Sequence, residues 1–265
     1  MSGQAGRASM SEGARESGSG AICDALTGAR KSALALPAFP GPVPTDLEAA
    51  YRIQDRSLSH WPTPIVGWKV GGFPPAYKER YDARYLAGPV DEAHLFHARP
   101  GTEAAMPVFE GGFAAVEAEF VVRLGESRTD DALFLGVEIA SSPVPELNDY
   151  GPLAVICDFG NNNGLLVGRE VDAASLQGAA VEVETVIDGR SVGSLVVDNA
   201  VERAHAARDF LLDNLASRGI AAPAGTYICT GALTGIHEAV AGSRSTVRFG
   251  DLGSLDIVLV PAQPL

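Results

Sequence analysis

Apolar residues recur at helical spacing in two segments of the chain. The segment 45–58 opens with Thr45, and a glutamate three residues later gives the spacing of a capping box. The segment 198–219 follows a predicted N-cap at Asp198 and ends at Gly219, a residue suited to helix termination. One face carries Leu47, Tyr51 and Leu58 in the first segment, and Val201, Ala204, Ala207, Leu211 and Leu215 in the second. Both segments are therefore predicted to be amphipathic helices.

The rest of the pattern predicts mainly short strands. Residues 181–197 alternate between apolar and polar around Asp188–Gly189, which predicts a hairpin with a tight turn. Further strands are predicted at 227–233, 245–249 and 254–260. The aromatic-rich segment 73–89 is irregular and is interpreted as a loop or lid. The predicted fold class is α+β, weighted toward β.

Composition suggests three regions along the chain. The 265 residues are 46% hydrophobic and 20% charged, which is typical of a globular protein with a substantial core. Residues 1–20 are rich in glycine, serine and alanine and are predicted to form a disordered tail. Residues 21–100 are predicted to form a small N-terminal α/β part, and residues 101–265 a β-rich catalytic domain.

Net charge limits the kinds of binding partner that are expected, and cysteine content indicates the redox compartment. The formal net charge is -13, so nucleic acid and acidic membrane surfaces are not expected as partners. No apolar run approaches the ~18 residues that a membrane span needs. The three cysteines are scattered and include no C-x-x-C, which favours a reducing cytoplasm over a disulfide framework.

The run A-V-E-A-E-F-V-V, residues 115–122, contains two glutamates one residue apart. In a strand, Glu117 and Glu119 point to the same face, roughly 6–7 Å apart at the backbone. The pattern fits either the solvated face of an ordinary strand or part of a metal site. Glu182 and Glu184 have the same spacing in the predicted hairpin, where they indicate only a solvated face. Spacing alone therefore favours the ordinary strand at both places.

A third acidic residue changes that balance. Glu138 lies in the apolar run F-L-G-V-E-I-A and has the small residues Gly136 and Ala140 as its neighbours on the same face. Three carboxylates from two strands would suit a hard divalent cation such as Mg²⁺ or Mn²⁺, with positions left for water and a chelating substrate. Whether the two strands meet is not determined by the spacing.

Lys69 is a separate candidate for chemistry. In the predicted strand I-V-G-W-K-V-G-G it shares one face with Gly67 and Gly71, so space is left around its ammonium group. An ordinary surface lysine beside glycines that permit a bend is the equal alternative. Weaker candidates are the asparagine run 160–164 and the T-G-A at 230–232, both also common in turns and strand ends, and the pair His94 and His97.

In combination and in this order, these motifs resemble the fumarylacetoacetate hydrolase superfamily, in particular its 2-oxopent-4-enoate hydratase and 4-oxalocrotonate decarboxylase branch. The matching stretches are A-Y-R-I-Q, I-V-G-W-K-V-G, A-V-E-A-E-F-V, G-V-E-I-A-S-S, C-D-F-G-N-N-N-G-L-L-V-G and A-G-T-Y-I-C-T-G-A-L-T-G. The resemblance spans about residues 47–260. It implies a mixed β-sheet roll with peripheral helices, in a homo-oligomer.

The resemblance also implies roles for individual residues. Glu117, Glu119 and Glu138 would be the Mg²⁺ or Mn²⁺ ligands and Lys69 the active-site lysine. Asn162 and Thr230 would contact the substrate. Three departures from the family pattern stand out: a short connection between the second and third glutamates, no acidic residue aligned in the loop after the lysine strand, and N-N-N in place of a serine-containing motif.

The implied substrate is a small 2-oxo acid. The implied reaction is hydration of a 2-hydroxy-2,4-dienoate to a 4-hydroxy-2-oxo acid in aromatic catabolism, with the metal as Lewis acid. Three alternatives stay open: decarboxylation of a 2-oxo diacid, acylpyruvate-type C–C hydrolysis, and a non-catalytic binding protein on the same scaffold. The hydrolase would need a histidine–acid pair, which matches none of His60, His94 and His97.

Overall fold

The computed structural model describes residues 12–265, which form five helices and thirteen strands. The helices are α1 (Glu12–Ser32), α2 (Leu47–Ser59), α3 (Pro75–Tyr81), α4 (Pro152–Cys157) and α5 (Ala200–Ser217). The strands are β1 (Ile65–Gly72), β2 (Tyr85–Asp91), β3 (Leu95–His97), β4 (Ala104–Val108), β5 (Phe113–Arg123), β6 (Ala132–Ser142), β7 (Asn162–Val171), β8 (Val181–Ile187), β9 (Arg190–Val197), β10 (Tyr227–Cys229), β11 (His237–Glu238), β12 (Arg244–Phe249) and β13 (Ser254–Pro261).

Two mixed sheets organise these strands. The larger has the order β2-β1-β10-β5-β6-β7-β3, with β11 also paired to β5. The smaller has the order β4-β13-β12-β8-β9. The pairs β1–β10, β3–β7 and β4–β13 are parallel and the others antiparallel. The predicted α+β class with a mixed β-sheet roll and peripheral helices is confirmed.

The central strands β5 and β6 are buried on both faces. All eleven residues of β5 except Arg123 are buried, and so are all residues of β6 except Ala132. Apolar residues alternate with glutamates, so one face of each strand packs into the hydrophobic core while the other encloses polar groups. Val116, Ala118 and Phe120 belong to the hydrophobic core.

Both predicted helices form, with caps that differ from the expected ones. The N-cap of α2 is Asp46, whose side chain accepts a hydrogen bond from the backbone N–H of Ala49, and Thr45 lies outside the helix. The N-cap position of α5 is Asn199 instead of Asp198. The apolar stripe of α5 is buried as predicted, and Gly219 follows the helix with φ of +69°.

The segment 73–89 is regular structure and the loop prediction is wrong. Pro75 lies in the first turn of α3, where its missing N–H leaves no intrahelical bond unmade. After Asp82 in the left-handed conformation, the chain continues as β2, which pairs antiparallel with β1. The hairpin with its Asp188–Gly189 turn and the strands β12 and β13 are found as predicted, whereas the strand predicted at 227–233 ends at Cys229.

The regional boundaries also differ from the predicted ones. Helix α1 begins at Glu12, so the tail predicted for residues 1–20 is helical from there on, and residues 1–11 lie outside the described part. The helix is held by an apolar face that includes Ile22 and Leu26, which pattern analysis did not recognise. Strands β1 to β3 belong to the same sheet as β5 to β7, so residue 100 does not separate two units. Within residues 12–265, no helix is long and apolar enough to span a bilayer.

Candidate active site

Strand register brings the three candidate carboxylates together. Glu117 on β5 lies directly opposite Glu138 on β6, and Glu119 lies opposite Gly136. Partner residues in an antiparallel pair project to the same side of the sheet, so the three side chains share one face. Their residues are 3%, 0% and 0% exposed for Glu117, Glu119 and Glu138. The ordinary-strand interpretation, in which this face is solvated, is therefore wrong here.

The second pair of glutamates with this spacing, Glu182 and Glu184, lies near solvent as predicted. Glu182 is exposed on β8, and Glu184 on the same strand pairs with Arg248 across to β12. The identical spacing thus gives a solvated hairpin in one place and a buried acidic cluster in the other.

Lys69 reaches this cluster from β1. Its Nζ lies 3.0 Å from Glu138 Oε1 and 4.0 Å from Glu117 Oε1, and it donates a hydrogen bond of 2.9 Å to Asn161 Oδ1. The residue is only 4% exposed, so the surface alternative is wrong. Gly71 leaves room for the lysine stem, because a Cβ there would lie 3.3 Å from Lys69 Cε.

The site is electrostatically unbalanced. With all groups ionised, three carboxylates face one ammonium group in a water-poor interior. Burial by itself lowers the pKa of Lys69, but Glu117, Glu138 and Glu119 outweigh that effect and raise it above its usual value. Burial raises the pKa of Glu117 to about 7, opposed by Lys69, and raises that of Glu119 well above its usual range. A bound cation would neutralise the excess negative charge of the ionised carboxylates.

Unsatisfied oxygen atoms point to the same conclusion. Glu117 Oε1, Glu119 Oε1 and Glu138 Oε2 are buried and have no hydrogen-bond partner within residues 12–265. Orphaned buried oxygens of ionised groups are costly unless something else neutralises them. Carboxylate oxygens are the ligands that hard divalent cations prefer, so the chemistry of the three residues suits Mg²⁺ or Mn²⁺. Among residues 12–265, the ligand atoms that already lie within 4.8 Å of one another are those of Glu119, Glu138 and Cys229, so Glu117 would have to move toward a cation bound there.

The asparagine run is shifted by one residue from the predicted arrangement. Asn162 donates a 2.9 Å hydrogen bond from Nδ2 to Glu138 Oε1 and does not line the cavity described below. Asn161 lines it instead and holds Lys69. The cause is a run of left-handed backbone at Phe159, Gly160 and Asn161, with φ of 55°, 63° and 57°.

This kink packs tightly against β2. A Cβ on Gly88 would lie 2.1 Å from Phe159 O, so only glycine allows the two backbones to approach. The kink is also held by Arg30 from α1, which forms a buried ion pair with Asp158 and hydrogen-bonds Asn162 O. Sequence analysis did not identify Arg30, since nothing in the local pattern indicates which residues it contacts.

Thr230 lines the cavity described below, but its hydroxyl already forms a hydrogen bond. It donates to Phe120 O at 2.8 Å, while the backbone N–H of Gly231 donates to Glu119 Oε2 at 2.9 Å. The two histidines considered as ligands lie elsewhere: His94 contacts Asp91 and His97 packs near Tyr227.

A cavity of about 440 Å³ opens onto these groups. Its polar lining includes Lys69, Glu117, Asn161 and Thr230, together with Arg203 from α5 and Tyr85 from β2. Leu86, Pro152, Val155 and Ile236 supply apolar walls. Such a mostly apolar cleft with a few convergent polar groups is the usual form of a small-molecule site.

Arg203 was not predicted as a site residue. It is half-buried, lies beside the apolar stripe of α5 and, within the described chain, forms no ion pair. Among residues 12–265, it is the one lysine or arginine besides Lys69 that lines the cavity.

Solved structures with the same architecture are known. The chain matches 4-oxalocrotonate decarboxylase from Pseudomonas putida G7, complexed with magnesium and adipate, at TM-score 0.72 and 20% identity over 95% of this chain and 99% of that chain. It also matches fumarylpyruvate hydrolase from Pseudomonas aeruginosa, in complex with Mn²⁺ and pyruvate, at TM-score 0.54 and 14% identity over 76% and 91%. The chain has the fumarylacetoacetate hydrolase fold. No family model and no curated protein sequence matches it.

The connection between β5 and β6 also positions helix α5. The connection between β5 and β6 contains only a short 3₁₀ turn, Arg128–Asp130, as its brevity in the sequence suggested. Asp131 in this connection forms an ion pair with Arg208 of α5, which fixes the helix against the sheet.

Proposed function

We propose that the protein is a divalent-metal-dependent lyase that acts on 2-oxo acids. The observation that carries the proposal is the buried cluster of three carboxylates with unpartnered oxygens, next to a buried lysine in a cavity. A structural ion pair would balance its charges, whereas this cluster has two more acidic groups than basic ones. A non-catalytic protein would have no evident reason to keep that arrangement.

The proposed chemistry depends on stabilising an enolate. A divalent cation held by Glu117, Glu119 and Glu138 would supply Lewis-acid stabilisation of the developing negative charge. Lys69 adds a fixed positive charge beside the same place, and Asn161 fixes the direction of its ammonium group. Because the neighbouring carboxylates hold Lys69 protonated, its role in this site is electrostatic or that of a proton donor.

Hydration of a 2-hydroxy-2,4-dienoate is the first candidate reaction and rests on the sequence resemblance. It requires proton delivery to the diene and addition of water at C4. Lys69 lines the cavity, and its ammonium group would supply the proton. The apolar walls formed by Leu86 and Val155 suit the hydrocarbon part of such a substrate.

Decarboxylation of a 2-oxo diacid is the second candidate, and Arg203 favours it. An arginine without an ion-pair partner in the cavity lining would bind a second carboxylate, which a dienoate monoacid lacks. The structurally similar decarboxylase is complexed with adipate, a dicarboxylate. Loss of CO₂ leaves its electron pair in the enolate and needs no added water. C–C hydrolysis gains no support, because no histidine in the described part of the chain lines the cavity.

A small substrate panel tests the proposal. With Mg²⁺ or Mn²⁺, loss of ultraviolet absorbance from 2-hydroxypenta-2,4-dienoate would identify the hydratase, and CO₂ release from 2-oxo diacids the decarboxylase. EDTA should abolish either activity, and added metal should restore it. If no 2-oxo acid is turned over and EDTA leaves thermal stability unchanged, the binding-protein alternative replaces this proposal.

A further inference from the structure

The acidic cluster includes a thiol that the proposed function does not use. Cys229 at the end of β10 is in register with Lys69 on β1 and with Val121 on β5. Its side chain therefore projects to the same face as Glu119. The sulfur and one carboxylate oxygen each of Glu119 and Glu138 lie within 4.8 Å of one another.

This trio is distinct from the oxygen-only set. Glu117 is not part of it; its Oε1 lies 4.0 Å from Lys69 Nζ, which also lies 3.0 Å from Oε1 of Glu138. The other two glutamates each have a buried oxygen without a hydrogen-bond partner, Glu119 Oε1 and Glu138 Oε2. A cation bound by all three atoms would lie about 2.1 Å from each oxygen and about 2.3 Å from the sulfur. Three atoms bound to one cation at these distances are separated from one another by distances comparable to those among the Cys229 sulfur and the two carboxylate oxygens.

We propose that Cys229 is a sulfur ligand that gives this site a second binding mode, selective for thiophilic cations such as Zn²⁺, Co²⁺ and Cd²⁺. Binding exchanges the S–H proton, released to solvent, for a sulfur–metal bond, with Glu119 and Glu138 completing the protein ligands. Mg²⁺ and Mn²⁺, which favour oxygen, use the three glutamates instead. The inference rests on the proposed metal site but not on any particular reaction.

The site would therefore select between cations according to whether they prefer sulfur or oxygen ligands. The hard and thiophilic cations would share two glutamates and so exclude each other. Replacing the sulfur should therefore weaken Cd²⁺ binding at least tenfold and leave the affinity for Mn²⁺ within about twofold, since Mn²⁺ does not use the thiol.

Cd²⁺ is a suitable probe because its bond to a thiolate absorbs in the near ultraviolet. Titration of the full-length protein should produce this absorption in the wild type and in Cys157→Ser, a matched control at an equally buried cysteine outside the cluster. It should be lost in Cys229→Ser. Cys229→Ala provides a second variant without a polar atom, in case the buried serine hydroxyl prevents folding. The Mn²⁺-induced rise in melting temperature should persist in all variants that fold.

Each outcome decides the matter. Absorption that persists at the same Cd²⁺ concentration in either folded Cys229 variant, or that never appears in the wild type, overturns the sulfur-ligand proposal. In those cases an intact Mn²⁺-induced stabilisation leaves the proposed function standing. A wild-type protein that Mn²⁺ does not stabilise would instead count against the oxygen-ligand site itself.

Discussion

Replacing Glu119 by glutamine tests the metal site most directly. The side chain is fully buried, one of its oxygens accepts a hydrogen bond from Gly231, and the other has no partner. Glutamine keeps the shape and can still accept the Gly231 hydrogen bond through its carbonyl oxygen. The substitution thus removes one negative charge and one charged oxygen ligand while changing little else.

The expected size of the effect follows from linkage between binding and folding. At a metal concentration 100 times the dissociation constant, the wild type should gain about 2.7 kcal/mol of stability. Changes in the outer shell of metal sites alone cost 10–100-fold in affinity, so loss of a direct ligand should cost about 100-fold or more. At the same metal concentration the variant would then gain only about 0.4 kcal/mol. Differential scanning fluorimetry should show a rise of about 5–10 °C for the wild type and about 1 °C for the variant.

Two further results make the test specific. Without metal, Glu119→Gln should be at least as stable as the wild type, because burial disfavours the charged form of Glu119 and raises its pKa, and glutamine carries no charge in either the folded or the unfolded chain. Glu184→Gln is the matched control: it has the same spacing on an exposed hairpin and should leave the metal-induced rise unchanged. Equal metal-induced rises in the wild type and Glu119→Gln, or equal losses in both variants, would refute the assignment of the cluster.

Three other predictions use the same structure. Lys69→Met should lower kcat by about 10²–10³-fold, as expected for loss of a positioned charge; steady-state kinetics would measure it, and the metal-induced rise in melting temperature should remain. Arg203→Gln should raise KM for 2-oxo diacids by about tenfold or more through loss of a charge-assisted hydrogen bond, with little change for monoacids. Equal changes in KM for both substrate classes would contradict carboxylate binding by Arg203. The stability of the metal-free protein should fall as pH rises from 4.5 toward about 7, because buried Glu117 keeps its proton over that interval and the unfolded chain does not. Thermal unfolding in EDTA across this range would measure the fall, which Glu117→Gln should reduce.

The sequence was sufficient for the parts of the site that depend on local pattern. Alternation in β5 correctly put Glu117 and Glu119 on one face, and the pattern in β6 correctly put Glu138 on the face lined by small residues. The two strands are joined by a short connection, so antiparallel pairing was the natural arrangement. The register that sets Glu117 opposite Glu138 was not available from spacing, and it came in here only through the family resemblance.

Other parts of the site depend on tertiary structure. Asn162 was chosen where Asn161 lines the cavity, because three consecutive residues with positive φ rotate the chain at a point where an extended pattern would continue. Arg203 was visible in a correctly predicted helix, but the stripe that fixes the buried face does not say what its flanks contact. Arg30 reaches the site from α1, a helix that composition alone had assigned partly to a tail.

The two E-x-E patterns in this chain show why spacing cannot identify a metal site. The local geometry is the same, since both pairs lie on strands with apolar residues between the acids. The difference is that β5 lies inside an eight-stranded sheet with both faces covered, whereas β8 pairs with the edge strand β9 and leaves its glutamates near solvent. Water can solvate Glu182 and Glu184, whereas the unpartnered oxygens of Glu117 and Glu119 are buried. A fold that buries uncompensated charge in this way is destabilised until something positive binds, and this connects the stability of the protein to its proposed function.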